Sequence, residues 1–253
     1  MFGSAFFDGL APGLIQGLRR HALEPFGGPD LAQSILRLRP RQAARPVVAL
    51  IDWTAQFEPI DLAALGIDCC LDTGLSEFPP SLEVALAGTE DGVAAALTTL
   101  TAYRRDVAQD FLDWTVQRGP RLSEDHRVIL RQAMQEALAN AVLHGNLGLR
   151  NLQSVSVESY ADYLGLIQER LGVRLYAGRP VVLAARWHDR HLTLAVEDTG
   201  RGFDLARSMK AVPATARGGR GLAIIHGLAD RVRLFNEGRR IEMEFALGRD
   251  GAA

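Results

Sequence analysis

Lysine is almost missing from this chain: Lys210 is the only one, and every other basic side chain that is charged at neutral pH is arginine. With 28 basic against 30 acidic residues the formal net charge is -2, so no broad positive field exists to hold nucleic acid. Cysteine is nearly as scarce. Cys69 and Cys70 are adjacent in an apolar run, a spacing that suits neither a metal site nor an ordinary disulfide. A reducing, cytoplasmic setting is therefore expected. No apolar stretch reaches the length of a membrane span, and residues 1–18 lack a charged segment followed by an apolar core, so no membrane partner is expected. Hydrophobic residues at 47% and charged residues at 23% are ordinary for a globular protein. A length of 253 residues allows one large domain or two small ones.

What is present is an alternation of strand and helix signals. Residues 1–30 are rich in glycine and proline and give no clear element. Residues 45–51 (RPVVALI) form a proline-led apolar run, the pattern of a buried strand in a parallel sheet. A helix is expected over residues 59–65, a short strand over 67–71, and helical periodicity over 81–118 with a break at 88–92. Gly119-Pro120 punctuates the chain and is taken as the domain boundary. Beyond it, Ser123 suits an N-cap for a helix to about His144, with an apolar stripe that includes Ile129, Ala133, Met134, Ala137 and Leu138 and a stop at Gly145. A helical insertion (160–171), a strand pair (181–187 and 192–197), a glycine-led helix (218–228) and a final hairpin (231–235 with 241–247) complete the pattern.

Three motifs carry chemistry only in combination. Glu136 and Asn140 lie four apart, on one helical face, with His144 four further on. A glutamate there can act as a general base, and an asparagine offers the neutral oxygen that a phosphate-bound Mg²⁺ accepts. Asp198-Thr199-Gly200-Arg201-Gly202 follows a strand. Its carboxylate can accept a hydrogen bond from an adenine amine, while the glycines let the backbone approach a flat base. Gly218-Gly219-Arg220-Gly221-Leu222 opens a helix, where backbone amides can bind phosphate without any side chain. Taken singly, these motifs also fit a solvated helix face, a hairpin turn and an ordinary glycine loop. There is no Walker A lysine motif and no Rossmann spacing.

In that order, the motifs resemble the N box and two glycine boxes of the GHKL (Bergerat-fold) ATPases. The runs EALANAVLHGNLGL, VEDTGRGFD and GGRGLAIIHGLADRV look most like the anti-sigma-factor serine kinase branch, and closer still like ATPase modules attached to bacterial response regulators. The resemblance covers roughly residues 122–247. It implies an α/β sandwich, a mixed and mostly antiparallel sheet with helices on one face and ATP between them. It also implies Glu136 as catalytic base, Asn140 as Mg²⁺ ligand and Asp198 as the adenine-binding acid. Gly200 and Gly202 would shape the base pocket, and Gly219, Arg220 and Gly221 would form the phosphate-binding turn. Residues 205–217 would be a lid, in which Lys210 either reaches the terminal phosphate or is a solvated loop lysine. His144 reads better as a residue suited to the helix C-terminus than as a phosphate ligand.

Residues 13–90 faintly resemble the later part of a receiver domain. Residues 46–50 would be its fourth strand and 66–71 the strand before its lysine position. Thr73 would stand where a receiver has lysine, Ile51 where it has serine or threonine, and His21 roughly at the phosphoacceptor aspartate. The resulting organisation is a degenerate receiver-like region (1–90), a linking helix (91–120) and a histidine kinase-like ATPase domain (121–248). The expected function is ATP-dependent signalling with Mg²⁺, as a serine/threonine protein kinase or switch acting on a protein partner such as a sigma factor, an anti-sigma antagonist or another regulator. Two other readings are a histidine-kinase ATPase served by a separate histidine-bearing protein and a non-catalytic module for which ATP is a conformational ligand. The apolar character of residues 93–114 also allows a homodimer.

Overall fold

Apolar runs without a polar face become the middle of one sheet. A computed structural model of the chain describes residues 9–25, 35–41, 43, 45–54, 61–82, 91–119, 121–149, 157–202 and 221–247. Its strands are β1 (Leu23–Pro25), β2 (Ile35–Pro40), β3 (Val48–Ile51), β4 (Cys69–Asp72), β5 (Gly92–Thr98), β6 (Pro180–His188), β7 (His191–Glu197), β8 (Arg231–Phe235) and β9 (Arg240–Ala246). They form a single nine-stranded sheet in the order β1-β2-β3-β4-β5-β6-β7-β9-β8. β3 pairs with β4 and β4 with β5 in parallel; the other neighbours are antiparallel. The strands expected over 45–51 and 67–71 are thus β3 and β4, side by side.

The helices are α1 (Pro12–Arg20), α2 (Thr99–Arg104), α3 (Val107–Arg118), α4 (Glu124–Ala139), α5 (Val157–Leu171), α6 (Arg174–Ala177) and α7 (Gly221–Leu228). α4 runs on as a π-helical segment, Asn140–Asn146. Among the described residues no helix is long and apolar enough to cross a membrane.

Two expectations are corrected. The linking helix over 91–120 begins instead as a strand. β5 is GVAAALT and is buried along its whole length. Alanine favours helices, but a run with no polar face fits the slot between β4 and β6, where both faces are covered. Helix resumes at α2 and α3. The helix expected over 59–65 reduces, within the described residues 61–67, to a single turn closed by Leu65 N–H donating to Asp61 O (3.2 Å) and Ile67 N–H to Leu62 O (3.0 Å). Residues 83–90 lie outside the described set, and with them part of the periodicity expected over 81–118.

Side chains alternate across the sheet and feed two cores. On one face Leu14 and Leu18 of α1 pack on Leu38, Leu50, Leu71, Ala94, Ala96 and Val182. On the other, Phe111 of α3, Met134 and Ala137 of α4 and Ile225 of α7 pack on Ala95, Leu97, Leu183, Leu194 and Met243. Around β6, β7 and β9 the helices lie on this second face, as the GHKL resemblance implies.

Two buried carboxylates stitch the N-terminal strands to the rest. Asp68 accepts from Val47 N–H (2.8 Å) and from Arg118 Nη2 of α3 (2.5 Å). Asp72, at the end of β4, accepts from Gly74 N–H, from Thr98 N–H and Oγ1, and from Thr101 Oγ1 of α2 (2.5 Å). A buried charge is tolerated only with such company.

Candidate functional site

α4 starts cleanly because Ser123 caps it, its side chain accepting from His126 N–H, and because Glu124 and Asp125 sit in the first turn, where the helix dipole favours negative charge. Leu130, Ala133, Met134, Ala137 and Leu138 are its buried stripe. Asn140 keeps helical angles (φ -62°, ψ -48°), so Glu136 and Asn140 stay one turn apart on the same side. The expected α-helix to His144 ends earlier, at Ala139. From Asn140 the turn widens, and Leu147 N–H donates to Val142 O, five residues back, at 2.9 Å. His144 lies within this widened segment. Its Nδ1 lies 2.8 Å from Leu149 O, which supports a structural role rather than phosphate contact.

The widened turn brings Gly145 and Asn146 against the end of β7. A Cβ on Gly200 would collide with the Gly145 carbonyl, so the Asp198-Thr199-Gly200 turn seats directly on the π segment. Gly202 has φ +72°, and a side chain there would run into Glu237 O in the β8–β9 turn. Asp198 is 9% exposed. Its Oδ1 accepts from Gly200 N–H at 2.7 Å, whereas Oδ2 accepts no hydrogen bond among the described residues. Burial pushes this carboxyl up to about 6. The Gly200 N–H opposes the shift, Glu197 adds to it, and Arg239 and Arg179 oppose it more weakly.

Asn146, fully buried, organises the junction. Its Nδ2 donates to Thr99 Oγ1 and to Pro180 O, both at 2.9 Å. Its Oδ1 accepts from Thr199 N–H (2.9 Å) and Thr199 Oγ1 (3.1 Å). Arg179 Nη1 donates to Asn146 O at 2.7 Å, and the Arg179 carbonyl accepts from Thr99 N–H and Oγ1. Sequence reasoning assigned no role to Asn146, Thr99 or Arg179. The one available signal was a polar Gly145-Asn146 pair directly after an apolar helix.

The third motif closes on the first. A Cβ on Gly221, the first residue of α7, would lie 2.8 Å from Glu136 Oε2 and 3.2 to 3.3 Å from the Asn140 side-chain amide. The start of α7 is therefore held against the two residues expected to act on phosphate and metal. Lys210, Gly219, Arg220 and the expected lid at 205–217 lie outside the described residues.

The arrangement fits a nucleotide. A carboxylate oxygen that accepts no hydrogen bond among the described residues stands at a turn that lets a flat group approach, and the first residue of α7 faces a glutamate and an asparagine. Among the described residues no three His, Cys, Asp or Glu side chains cluster to hold a metal. A Mg²⁺ here would rely on Asn140, phosphate oxygens and water, which suits an ion that keeps much of its hydration shell.

The family model for the histidine kinase-like ATPase domain matches residues 94–245, more than half of the chain. The chain belongs to this family. A comparison with curated proteins finds no match. Members of this family bind ATP, and the family's match to this chain begins within β5. Its match runs through α2, α3 and the Gly119-Pro120 punctuation.

Proposed function

We propose that this protein binds Mg²⁺-ATP between α4, the Asp198 turn and the start of α7, and passes the γ-phosphoryl group to a serine or threonine of a regulatory protein, as the anti-sigma-factor kinases do. The observation that supports this reading is the close approach of Gly221 to Glu136 and Asn140, where an added Cβ would lie 2.8 Å from Glu136 Oε2; a helix start able to take phosphate would then stand beside the proposed base and the proposed metal ligand. Asp198 Oδ2 accepts from the adenine amine, with Gly200 and Gly202 shaping the base pocket. The amides of Gly219, Arg220 and Gly221 hold phosphate oxygens, and Lys210 reaches the terminal phosphate. The metal, when bound, offsets phosphate charge, and Asn140 supplies a ligand to it. The partner's hydroxyl oxygen forms the new bond to the γ-phosphorus, its proton passes to Glu136, and ADP leaves with the pair from the broken P–O bond.

A histidine acceptor within the same site is disfavoured by position. His126 stands in the first turn of α4 with Nδ1 2.7 Å from Ser123 Oγ, and ten residues of helix put it roughly 15 Å along the axis from Glu136. Residues 1–90, resembling a receiver without its aspartate and lysine, would carry the input signal. A sigma factor or an anti-sigma antagonist would be the partner.

The test uses the full chain, candidate partner proteins and γ-labelled ATP. Glu136→Gln should leave ATP binding intact and slow transfer by roughly 10²–10⁴-fold, whereas Asn140→Ala should weaken Mg²⁺-dependent binding itself. Transfer unaffected by Glu136→Gln, with partner binding still responding to ATP, would replace the kinase by a sequestering switch. Label on histidine would move the protein to the histidine-kinase reading.

A further inference from the structure

Polar side chains are buried at a cost unless hydrogen bonds answer them, and in this protein they are not scattered. Among the described residues eight polar or charged residues are buried. Six of them, Asp72, Thr98, Thr99, Thr101, Asn146 and Asp198, form one connected line, while Asp68 and Thr115 bond elsewhere.

The line begins outside the family-matched residues, at the end of β4. Asp72 Oδ2 accepts from Thr98 N–H (3.1 Å), from Thr98 Oγ1 (3.0 Å) and from Thr101 Oγ1, which fixes the exit from β5 into α2. Oγ1 of the next residue, Thr99, accepts from Asn146 Nδ2 at 2.9 Å. Asn146 Oδ1 in turn accepts from the N–H of Thr199, the neighbour of Asp198. A second strut runs alongside. Ser76, just after β4, donates from its N–H (3.2 Å) and its Oγ (3.1 Å) to Gly178 O. Arg179 follows Gly178, accepts from Thr99 N–H at 2.9 Å and donates to Asn146 O at 2.7 Å. Both routes meet at Asn146. On its other side the Asp72–Ser76 turn is anchored in the N-terminal strands. Thr73 N–H donates to Ile51 O at 3.0 Å, and Leu75 is fully buried in the core it shares with Leu14 and Leu18 of α1.

A carboxylate that reads one exocyclic amine discriminates only while its turn is held to a fraction of an ångström, and a buried, fully bonded network supplies that rigidity. We infer that Asp72 and Thr98 are positioning residues of the proposed nucleotide site, on which this reading rests. Through Thr99 and Asn146 they hold the Asp198 turn where Oδ2 meets the adenine amine. The N-terminal strands thereby set the preference for adenine nucleotides from outside the ATPase family match.

Calorimetry on the full chain with Mg²⁺-ATP and Mg²⁺-GTP tests this. Guanine presents a carbonyl oxygen where adenine presents its amine, so the ratio of the two affinities reads the Asp198 turn, whereas loss of folded protein lowers both alike. Asp72→Asn leaves one oxygen where two now accept from Gly74, Thr98 and Thr101. It should weaken ATP roughly 5-fold or more, the worth of one modest hydrogen bond, and shrink the ATP-over-GTP ratio by a similar factor. Thr98→Val should do the same, and Thr98→Ser, which keeps the hydroxyl, should retain the wild-type ratio. Asp68→Asn changes the other buried carboxylate at this seam and should lower the melting temperature without touching the ratio. A ratio unchanged in Asp72→Asn and Thr98→Val, an equal fall in Asp68→Asn, or a fall in Thr98→Ser as large as in Thr98→Val would each overturn the assignment. The Thr98 pair decides the matter even if Asp72→Asn does not fold. A wild type that binds neither nucleotide would remove the proposed function itself, whereas a wild type that prefers ATP with a ratio deaf to these variants would remove this inference alone.

Discussion

Asp198→Asn should make the empty protein more stable while removing much of its affinity for ATP. Burial raises the Asp198 carboxyl to about 6 in the folded chain, against 3.8 for a carboxyl in water. Folding therefore favours its protonated form, and ionising it in the native state is a cost. That cost is absent well below pH 3.8, grows as pH rises, and is complete above pH 6. Two units correspond to about 3 kcal/mol at pH 8 and roughly half that at pH 5. Asparagine keeps an oxygen for the Gly200 N–H but forms a weaker bond than a carboxylate does, which offsets about 1 kcal/mol of the gain. The variant should then melt higher by roughly 3–6 °C at pH 8, with the gap closing toward pH 4.5. Binding should move the other way. Loss of a charged acceptor for the adenine amine should weaken ATP by roughly 10-fold or more. Wild-type affinity should also fall as pH drops below 6, in a way the variant does not share. Thermal melts from pH 4.5 to 8 and calorimetry with Mg²⁺-ATP read both effects. A melting gap that does not change with pH would refute the burial argument, and unchanged affinity would take Asp198 out of the pocket.

Other outcomes follow from the same geometry. Asn146→Ala strips four hydrogen bonds from a fully buried hub and should cost roughly 2–4 kcal/mol, measured by urea unfolding, with ATP affinity falling because Thr199 and Asp198 lose their brace. Gly200→Ala forces the Asp198 turn off Gly145 and should lower ATP affinity more than stability, which calorimetry and melting separate. Asp68→Ala leaves Arg118, whose side chain is 15% exposed, without its partner, and should destabilise by roughly 3 kcal/mol; a normal melt would show that this ion pair does not hold the halves together.

How much could be read from the chain depended on the range of the interaction. β3, β6 and β7 were legible because each is a short apolar run bounded by turn residues, and α4 because its stripe and its Ser123 cap are local. β5 was not. Its alanines look helical in isolation, and only the two flanking strands make it a strand. The π segment was equally hidden, since nothing local in Asn140–Asn146 announces a wider turn; contact with Asp198 and the burial of Asn146 go with it. The order of the three motifs pointed to a common pocket, and Gly221 does lie against Glu136 and Asn140. The roles of Asn146, Thr99 and Arg179 depend on partners 33 to 80 residues away and left no periodic trace.

The unbroken sheet has a practical consequence for anyone dissecting this protein. A fragment starting after Pro120 would lack β5 and present the inner edge of β6, from Pro180 to Arg186, as a row of unmatched amides and carbonyls flanked by apolar side chains. Such an edge invites pairing with another copy of itself. β5 thus acts as a cap on the edge of β6. It turns the exposed rim of that strand into an interior, and recombinant work on the residues after Pro120 alone should be expected to yield aggregates rather than a quiet monomer.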